Sequence, residues 1–349
     1  MTEQDSASAS DTGRRRRSSG TRPPSMADVA AVAGVSHQTV SRVLNQADAV
    51  RPETRDRVLA AIDQLGYRRN ETARTLATRT SRLIGVITAD FVLYGPATTL
   101  LSIQLAAAER GYMVSVATLT EFSAQRLRQA IDQFLSQGVA GIIISAPVVR
   151  IAEELERITV PVPSIAVASG WINPDSTIAR IGVGQRVGVR QALEHLAATG
   201  CDEVAHFAGP PHWFDSEERA IQWNESMAEL NLRFGGYDRG DWTAESGYVM
   251  AQRMLAGHLP EAIVIANDQM ALGALRAFGE AGVRVGKDVR IVGYDDEAGT
   301  AFFYPSLTTV RQDFFRLGRE AVQMLLAVIR GKAVGNILIP SELIVRDSA

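Results

Sequence analysis

Residues 28–45 contain the first cluster able to do chemistry, the run DVAAVAGVSHQTVSRVLN. Ala30, Gly34 and Val40 stand at the spacing a helix-turn-helix needs. Ala30 lets two helices approach, Gly34 takes the turn, where a Cβ is expected to clash, and Val40 fills the angle between the helices. A helix starting after Ser36 then presents His37, Gln38 and Arg42 first, the end that meets base edges in a major groove. Gln38 can pair bidentately with adenine and Arg42 with guanine. Ser36, Thr39, Ser41 and Asn45 are short polar groups suited to phosphate oxygens.

Charge supports a polyanion partner for this end of the chain. The net charge of −3 is unevenly spread. Residues 1–80 hold 13 Arg against 9 acids, and residues 81–349 hold 23 basic against 30 acidic residues. A basic head on an acidic body points the head, not the body, at nucleic acid. Other chemistries find no support. The single cysteine, Cys201, excludes an internal disulfide and fits a reducing cytoplasm. The five histidines show no metal-ligand spacing with it, so neither metal nor cofactor is expected. No apolar run is long enough to span a bilayer, and no apolar segment follows Arg14–Arg17 as an export signal would require. Gly182, Gly184 and Gly188 imitate a dinucleotide fingerprint, but the last spacing is one residue too long.

The elements that must carry these groups divide the chain into four. Residues 1–25 read as a basic, low-complexity tail, either solvated or adding non-specific DNA attraction. Residues 26–69 read as three short helices. Ser25 and Ser36 are caps, Pro52 sits in the first turn of the third helix, and Val58, Leu59, Ile62 and Leu65 are its apolar positions before Gly66. Residues 70–81 hold a polar, arginine-bearing helical stretch with little to bury. From 82 to 349 short β-branched runs alternate with amphipathic helices. Strands are expected at 83–89, 112–119, 141–145, 164–168, 178–183, 203–208, 262–266 and 288–294. Helices are expected at 97–110, 123–137, 217–230, 267–281 and 314–330 among others. Such alternation predicts parallel sheets covered on both faces, and about 270 residues call for two lobes with a cleft at the strands' carboxyl ends.

The run from Asp28 to Asn45 resembles the head of the LacI/GalR family of repressors. The resemblance continues through Gly240–Gly247, Val264–Ala274, Val292–Asp296 and Leu307–Phe314, and covers residues 26–346. It implies a helix-turn-helix head, a hinge helix and a two-lobed α/β body like periplasmic binding proteins, with crossovers near 184, 311–313 and 339–341. It implies a transcriptional repressor, not an enzyme, that binds double-stranded operator DNA as a homodimer and is released by a small sugar, with a galactoside one option. A co-repressor such as a purine, or a carbohydrate-binding protein whose head is incidental, are the alternatives. Asn70 begins the implied hinge helix, and Leu76 beside Ala77 matches the leucine that wedges into the minor groove, unless it packs beneath the first lobe.

By the same resemblance Arg219, Asn267, Asp295 and Gln312 are the polar effector contacts, Trp242 and Phe314 the stacking ones, and Leu93 and Pro96 the apolar ones from the first lobe. Taken as residues alone, Arg219 could pair with Glu217 or Glu218, Asp295 could be a structural cap, and Trp242 could be plain core. The first-lobe side departs from the pattern. Ala168 stands where a family member has aspartate, Ser145 where it has asparagine, and a few residues are added around 171–176. Losing a hydroxyl's partner changes ligand preference sharply. The C-terminal heptad helix that joins dimers into tetramers in one family member has no counterpart before Ala349, so a dimer is expected.

Overall fold

The computed structural model describes residues 24–45, 50–68, 81–88, 93–119, 121–145, 147–170 and 176–349. It divides the chain into two compact units, Met1–Arg79 and Thr80–Ala349. The expectations for the tail, for Asn70, Leu76 and Ala77, and for residues 171–175 lie outside the described residues, as does the side chain of Asn45.

In the first unit the helices are α1 (Met26–Ala33), α2 (His37–Asn45) and α3 (Pro52–Leu65). Ser25 and Asp28 form a reciprocal capping box on α1, satisfying amides that a helix start leaves open. Ser36 Oγ accepts from the Thr39 amide at 3.2 Å. Val29, Ala30, Ala33, Val40, Val43, Val58 and Ala61 make the core, with Tyr67 closing it. Two readings change. Gly34 adopts φ 65°, but a Cβ there would meet nothing within 4 Å. Its backbone conformation, not crowding, selects glycine. Leu59 is 46% exposed. Val58, Ala61, Ile62 and Leu65 share the buried side of α3, and the 100° step per residue turns Leu59 away from it.

The second unit holds two six-stranded sheets. The first lobe is built from β1 (Leu83–Thr88), α4 (Tyr94–Glu109), β2 (Met113–Thr118), α5 (Ala124–Ser136), β3 (Gly141–Ser145), α6 (Val149–Arg157), β4 (Ser164–Val167) and β5 (Arg180–Gly184). The second contains α7 (Gln185–Ala198), β6 (Glu203–Ala208), α8 (Phe214–Glu229), β7 (Arg233–Arg239), α9 (Ala244–Leu255), β8 (Ala262–Ile265), α10 (Asp268–Glu280), β9 (Arg290–Asp295) and β10 (Thr308–Arg311). Helix α11 (Phe314–Ile329) and β11 (Ile337–Pro340) return to the first lobe, and β12 (Glu342–Ile344) ends in the second. The strand orders are 11-5-4-3-1-2 and 12-10-9-8-6-7. All pairs are parallel except β12 with β10.

Isoleucine-rich strands such as 141–145 are buried on both faces, as a parallel sheet between helix layers requires. Ile84, Val86 and Ile143 face α4 and α11, while Ile87, Ile142 and Ile144 face α5 and α6. In each sheet the chain leaves its starting strand in both directions, between β1 and β3 and between β6 and β8. Those switch points open a crevice at the strands' carboxyl ends, the usual ligand position in such sheets. The crossovers fall at Gly184/Gln185, at Gln312/Asp313 and at Ser341, where the sequence placed them.

Candidate functional site

On α2 the side chains of His37, Gln38 and Arg42 are exposed, while Val40 and Val43 on the opposite side are buried. The residues proposed to read bases therefore play no part in the core. Ser36 and Thr39 are tied to each other, hydroxyl to hydroxyl at 2.9 Å. Both hydroxyls stay at the helix start, where that of Ser36 also caps it. Ser41 is half-buried beside them.

A cavity of about 120 Å³ lies between the lobes, walled by residues of both. Leu93, Pro96, Arg219, Trp242, Asn267, Asp295, Gln312 and Phe314 all line it. The two sides differ. The first lobe contributes mainly apolar groups, among them Val86, Leu100, Ile103, Val167 and Ala168. The second contributes a chain of polar ones.

That chain begins at Arg219, whose side chain is 3% exposed. Its Nε donates to Gln185 Oε1 at 3.0 Å, and one terminal nitrogen donates to the Ala266 carbonyl. Gln185 Nε2 donates to Gln312 Oε1 at 2.9 Å, and Gln312 Nε2 donates to Asp295 Oδ1 at 2.6 Å. The guanidinium lies 3.7 Å from the centroid of the Tyr294 ring and 5.5 Å from that of Trp242. Gln185 and Gln312 are themselves crossover residues, and Ser341 Oγ of the third crossover donates to the Gly184 carbonyl at 2.7 Å. The polar wall of the cavity and the joint between the lobes are one hydrogen-bonded assembly.

Arg219 does not pair with Glu217 or Glu218. Neighbours one or two apart on a helix face different ways, whereas Asp215 is four residues earlier and on the same side. Asp215 lies 3.7 Å and Asp295 3.9 Å from Arg219. Glu217 pairs with Arg239 and Glu218 with Arg186 instead. Asp295 sits at φ 113°, a strained conformation for a side-chain-bearing residue and one that occurs where a site demands it. Burial pushes its carboxyl up to about 7, although Arg219 and the Gln312 hydrogen bond pull the other way. Asp268, wholly buried behind it and bonded by Thr309 Oγ1 at 2.6 Å, is pushed well above the carboxylate range by burial and then by Asp295.

Asn267 and Trp242 have structural duties as well. Asn267 caps α10 by accepting from the Met270 amide at 2.9 Å, and its amide donates to the Trp242 carbonyl at 3.0 Å. That bond holds Trp242 at φ 75°. Trp242 packs in the second lobe's core and still lines the cavity, and its buried Nε1 has no hydrogen-bond partner among the described residues. An unpartnered indole donor beside a cavity is costly unless a ligand completes it. Phe314 meets Tyr94 edge to face at 5.8 Å, and Gly95 leaves room for its ring.

The sequence reading missed Gln185, Asp215, Ser169, Tyr94 and Trp213, all cavity-lining. Gln185 could have been found from its place at a crossover, and Asp215 from its four-residue spacing to Arg219. Trp213 had no linear signal. It contacts Phe122 of the first lobe at 5.5 Å and Trp242 of the second at 5.9 Å. Beside it the Phe214 amide donates to the Pro147 carbonyl at 2.9 Å and the Val149 amide to the His212 carbonyl at 3.1 Å, clasping the lobes together.

Residues 25–70 match the family described as bacterial regulatory proteins, lacI family, and residues 193–349 match the periplasmic binding protein-like domain. The chain is 38% identical to the lactose operon repressor of Escherichia coli (strain K12) over 94% of its length and 91% of the relative. A crystal structure of the lac repressor dimer bound to operator and the anti-inducer ONPF is similar at a TM-score of 0.86 and 37% identity. That match covers 94% of this chain and 99% of the other. The transcriptional regulator CelR–cellobiose complex is similar at a TM-score of 0.70 and 28% identity, covering 93% and 100%.

Proposed function

Because this chain belongs to the lacI family of bacterial regulatory proteins, we propose that it is a transcriptional repressor that binds a pseudo-palindromic operator as a dimer and is released by a small sugar in the cleft. It acts in the cytoplasm and catalyses no reaction. Gln38 and Arg42 read base edges, His37 sets a further operator position, and Ser36, Thr39, Ser41 and Asn45 hold phosphates. Asn70, Leu76 and Ala77 belong to the segment that meets the minor groove. Leu93, Pro96, Arg219, Trp242, Asn267, Asp295, Gln312 and Phe314 bind the effector.

The observation that carries the sensor reading is the bond from Gln185 to Gln312, cavity-lining side chains that are also two of the lobe crossovers. A ligand that bonds this chain biases the angle between the lobes by as much as it binds one arrangement more tightly than the other. Operator affinity follows through linkage, with coupling of about 1–3 kcal/mol and equal in both directions. No helix among the described residues is long and apolar enough to cross a membrane.

The test is fluorescence anisotropy of the purified protein on a symmetric lac-type operator duplex at fixed salt, with and without methyl β-D-galactopyranoside or cellobiose. Tight operator binding weakened fivefold or more by one of the sugars is the expected result. Operator binding that no sugar alters, together with sugar binding that operator does not alter, would end the sugar-release reading.

A further inference from the structure

Asp215 is the feature of the cleft that the family resemblance did not supply. It lies on the first turn of α8, lines the cavity and reaches across the lobe boundary, where it accepts a hydrogen bond from Ser169 Oγ of the first lobe. Its side chain is 36% exposed, against 11% for Asp295 and 3% for Arg219. It is thus the more open of the two carboxylates in the cavity. Among the described residues, the nearby first-lobe lining offers Ala168 and Val167 and no acid. The one guanidinium among the described lining residues has its Nε and one terminal nitrogen committed to Gln185 and Ala266, its other terminal nitrogen lies 3.7 Å from Asp215 and 3.9 Å from Asp295, and its plane lies over the Tyr294 and Trp242 rings. Among the described residues the site therefore offers acceptors for hydroxyl groups, and its cation is already held between two acids.

We propose that Asp215 is a specificity-determining effector contact, accepting from ligand hydroxyls in place of Ser169 and selecting uncharged sugars against uronates and sugar phosphates. This inference rests on the sugar reading of the cleft. A ligand hydroxyl that enters between Asp215 and Ser169 replaces one donor to the carboxylate by another, so the acid is never left unpaired. An anion at the same place meets Asp215, joined by Asp295 where that carboxyl is ionised, and like charges that close repel strongly where water is excluded.

The test is calorimetric titration of the full chain with methyl β-D-galactopyranoside, methyl β-D-glucopyranoside, cellobiose and D-galacturonate. It uses wild type, Asp215→Ala, Asp215→Asn and Ser169→Ala, each first checked for an unchanged melting temperature without ligand. In wild type a neutral sugar binds and galacturonate does not. In Asp215→Ala the neutral sugar weakens about 10-fold or more, as loss of a bond to a charged acceptor implies. Asp215→Asn gives a smaller loss and narrows the gap to galacturonate. Ser169→Ala binds the neutral sugar at least as well as wild type, because Ser169 is the group the ligand displaces. Neutral-sugar binding that Asp215→Ala retains unchanged, or a wild type that prefers galacturonate, overturns the role of Asp215 while leaving a sugar sensor. A wild type that none of the four ligands binds overturns this inference and the sugar reading together. If Asp215→Ala melts lower, the Asp215→Asn and Ser169→Ala pair decides. Equal losses in those two mean a structural bond between lobes and overturn the proposal.

Discussion

The outer face of α2 and the second-lobe wall of the cleft hold their polar side chains in opposite ways. In the head, His37, Gln38 and Arg42 project into solvent, and the fold is held from behind by Val29, Val40, Val43 and Val58. In the cleft, Arg219, Gln185, Gln312 and Asp295 hold each other, and two of them are also the joint between the lobes. One region separates recognition from folding and the other merges them. A surface that must read many sequences can change residue by residue. A sensor that must convert binding into motion has its ligand groups inside the moving part.

Two substitutions make that contrast measurable, and the first has the largest expected effect. Arg219→Ala leaves Gln185 and the Ala266 carbonyl without their buried donor and Asp295 without its neighbouring positive charge. Breaking such a buried charged network costs about 3–5 kcal/mol, and the lower figure applies here because Asp295 can take up a proton. Urea unfolding followed by tryptophan fluorescence reads it cleanly, since Trp171, Trp213, Trp223 and Trp242 all belong to the body. Arg42→Ala, by contrast, leaves the stability of the head, read by hydrogen exchange at the Val40 and Val43 amides because no tryptophan lies there, within about 0.5 kcal/mol of wild type. It costs about 1–3 kcal/mol of operator affinity in the anisotropy assay, the worth of one bidentate base contact. Equal losses of stability in the two variants would erase the distinction between the regions.

The same contrast explains what was legible in the sequence. The head could be read from spacing alone, because Ala30, Gly34 and Val40 are local to one motif and the exposed residues fall out by helical period. The strands at 141–145 and 203–208 were legible from their β-branched and apolar runs. Strand β7 (Arg233–Arg239) was not, because it is an edge strand with two glycines, three charges and no fully buried residue. The short strands β10, β11 and β12 gave no pattern longer than four residues. In the cleft, Arg219 and Asp295 were reached through family resemblance. Their mutual arrangement was not, since it depends on crossovers that bring residues 185, 219, 295 and 312 together. Asp215 shows the remaining gap. Helix periodicity would place it beside Arg219, but the helix expected from sequence starts only at 217, and only the folded cleft places it opposite Ser169.

A smaller effect sharpens the comparison through pH. Burial, opposed by Arg219 and Gln312 and assisted by Glu297 and Asp215, raises Asp295 to about 7 in the folded protein. A carboxyl whose folded value is raised contributes stability fully below its unfolded value near 4, and that contribution is lost as pH rises through about 7. From pH 6 to pH 8 the wild type should lose about 1 kcal/mol relative to Asp295→Asn, measured by urea unfolding at each pH. Sugar affinity should move the other way, rising with pH as the carboxyl becomes the acceptor. The head has no such buried acid at its reading face, so Arg42→Ala should leave this pH dependence unchanged. Parallel pH curves for wild type and Asp295→Asn would show that Asp295 stays ionised across the range.

The smallest expected effect concerns two glycines that do different work. Gly188 of α7 has ordinary helical backbone but no space, since a Cβ there would lie 2.3 Å from Val310 Cγ1 and 2.8 Å from Ser341 Oγ at the crossovers. Gly34 in the turn between α1 and α2 has space but φ 65°. If steric crowding governed the turn, Gly34→Ala would force α1 and α2 apart and cost several kcal/mol. Since only the left-handed backbone is at stake, the cost is about 1 kcal/mol. No tryptophan reports on the head, so the measurement is hydrogen exchange at the Val40 and Val43 amides, which a loss of that size speeds about fivefold. The angle between the helices is then preserved, and operator affinity falls by less than tenfold. Acceleration of a hundredfold or more would mean that the turn is packed after all, and that the head, like the cleft, couples its recognition surface to its core.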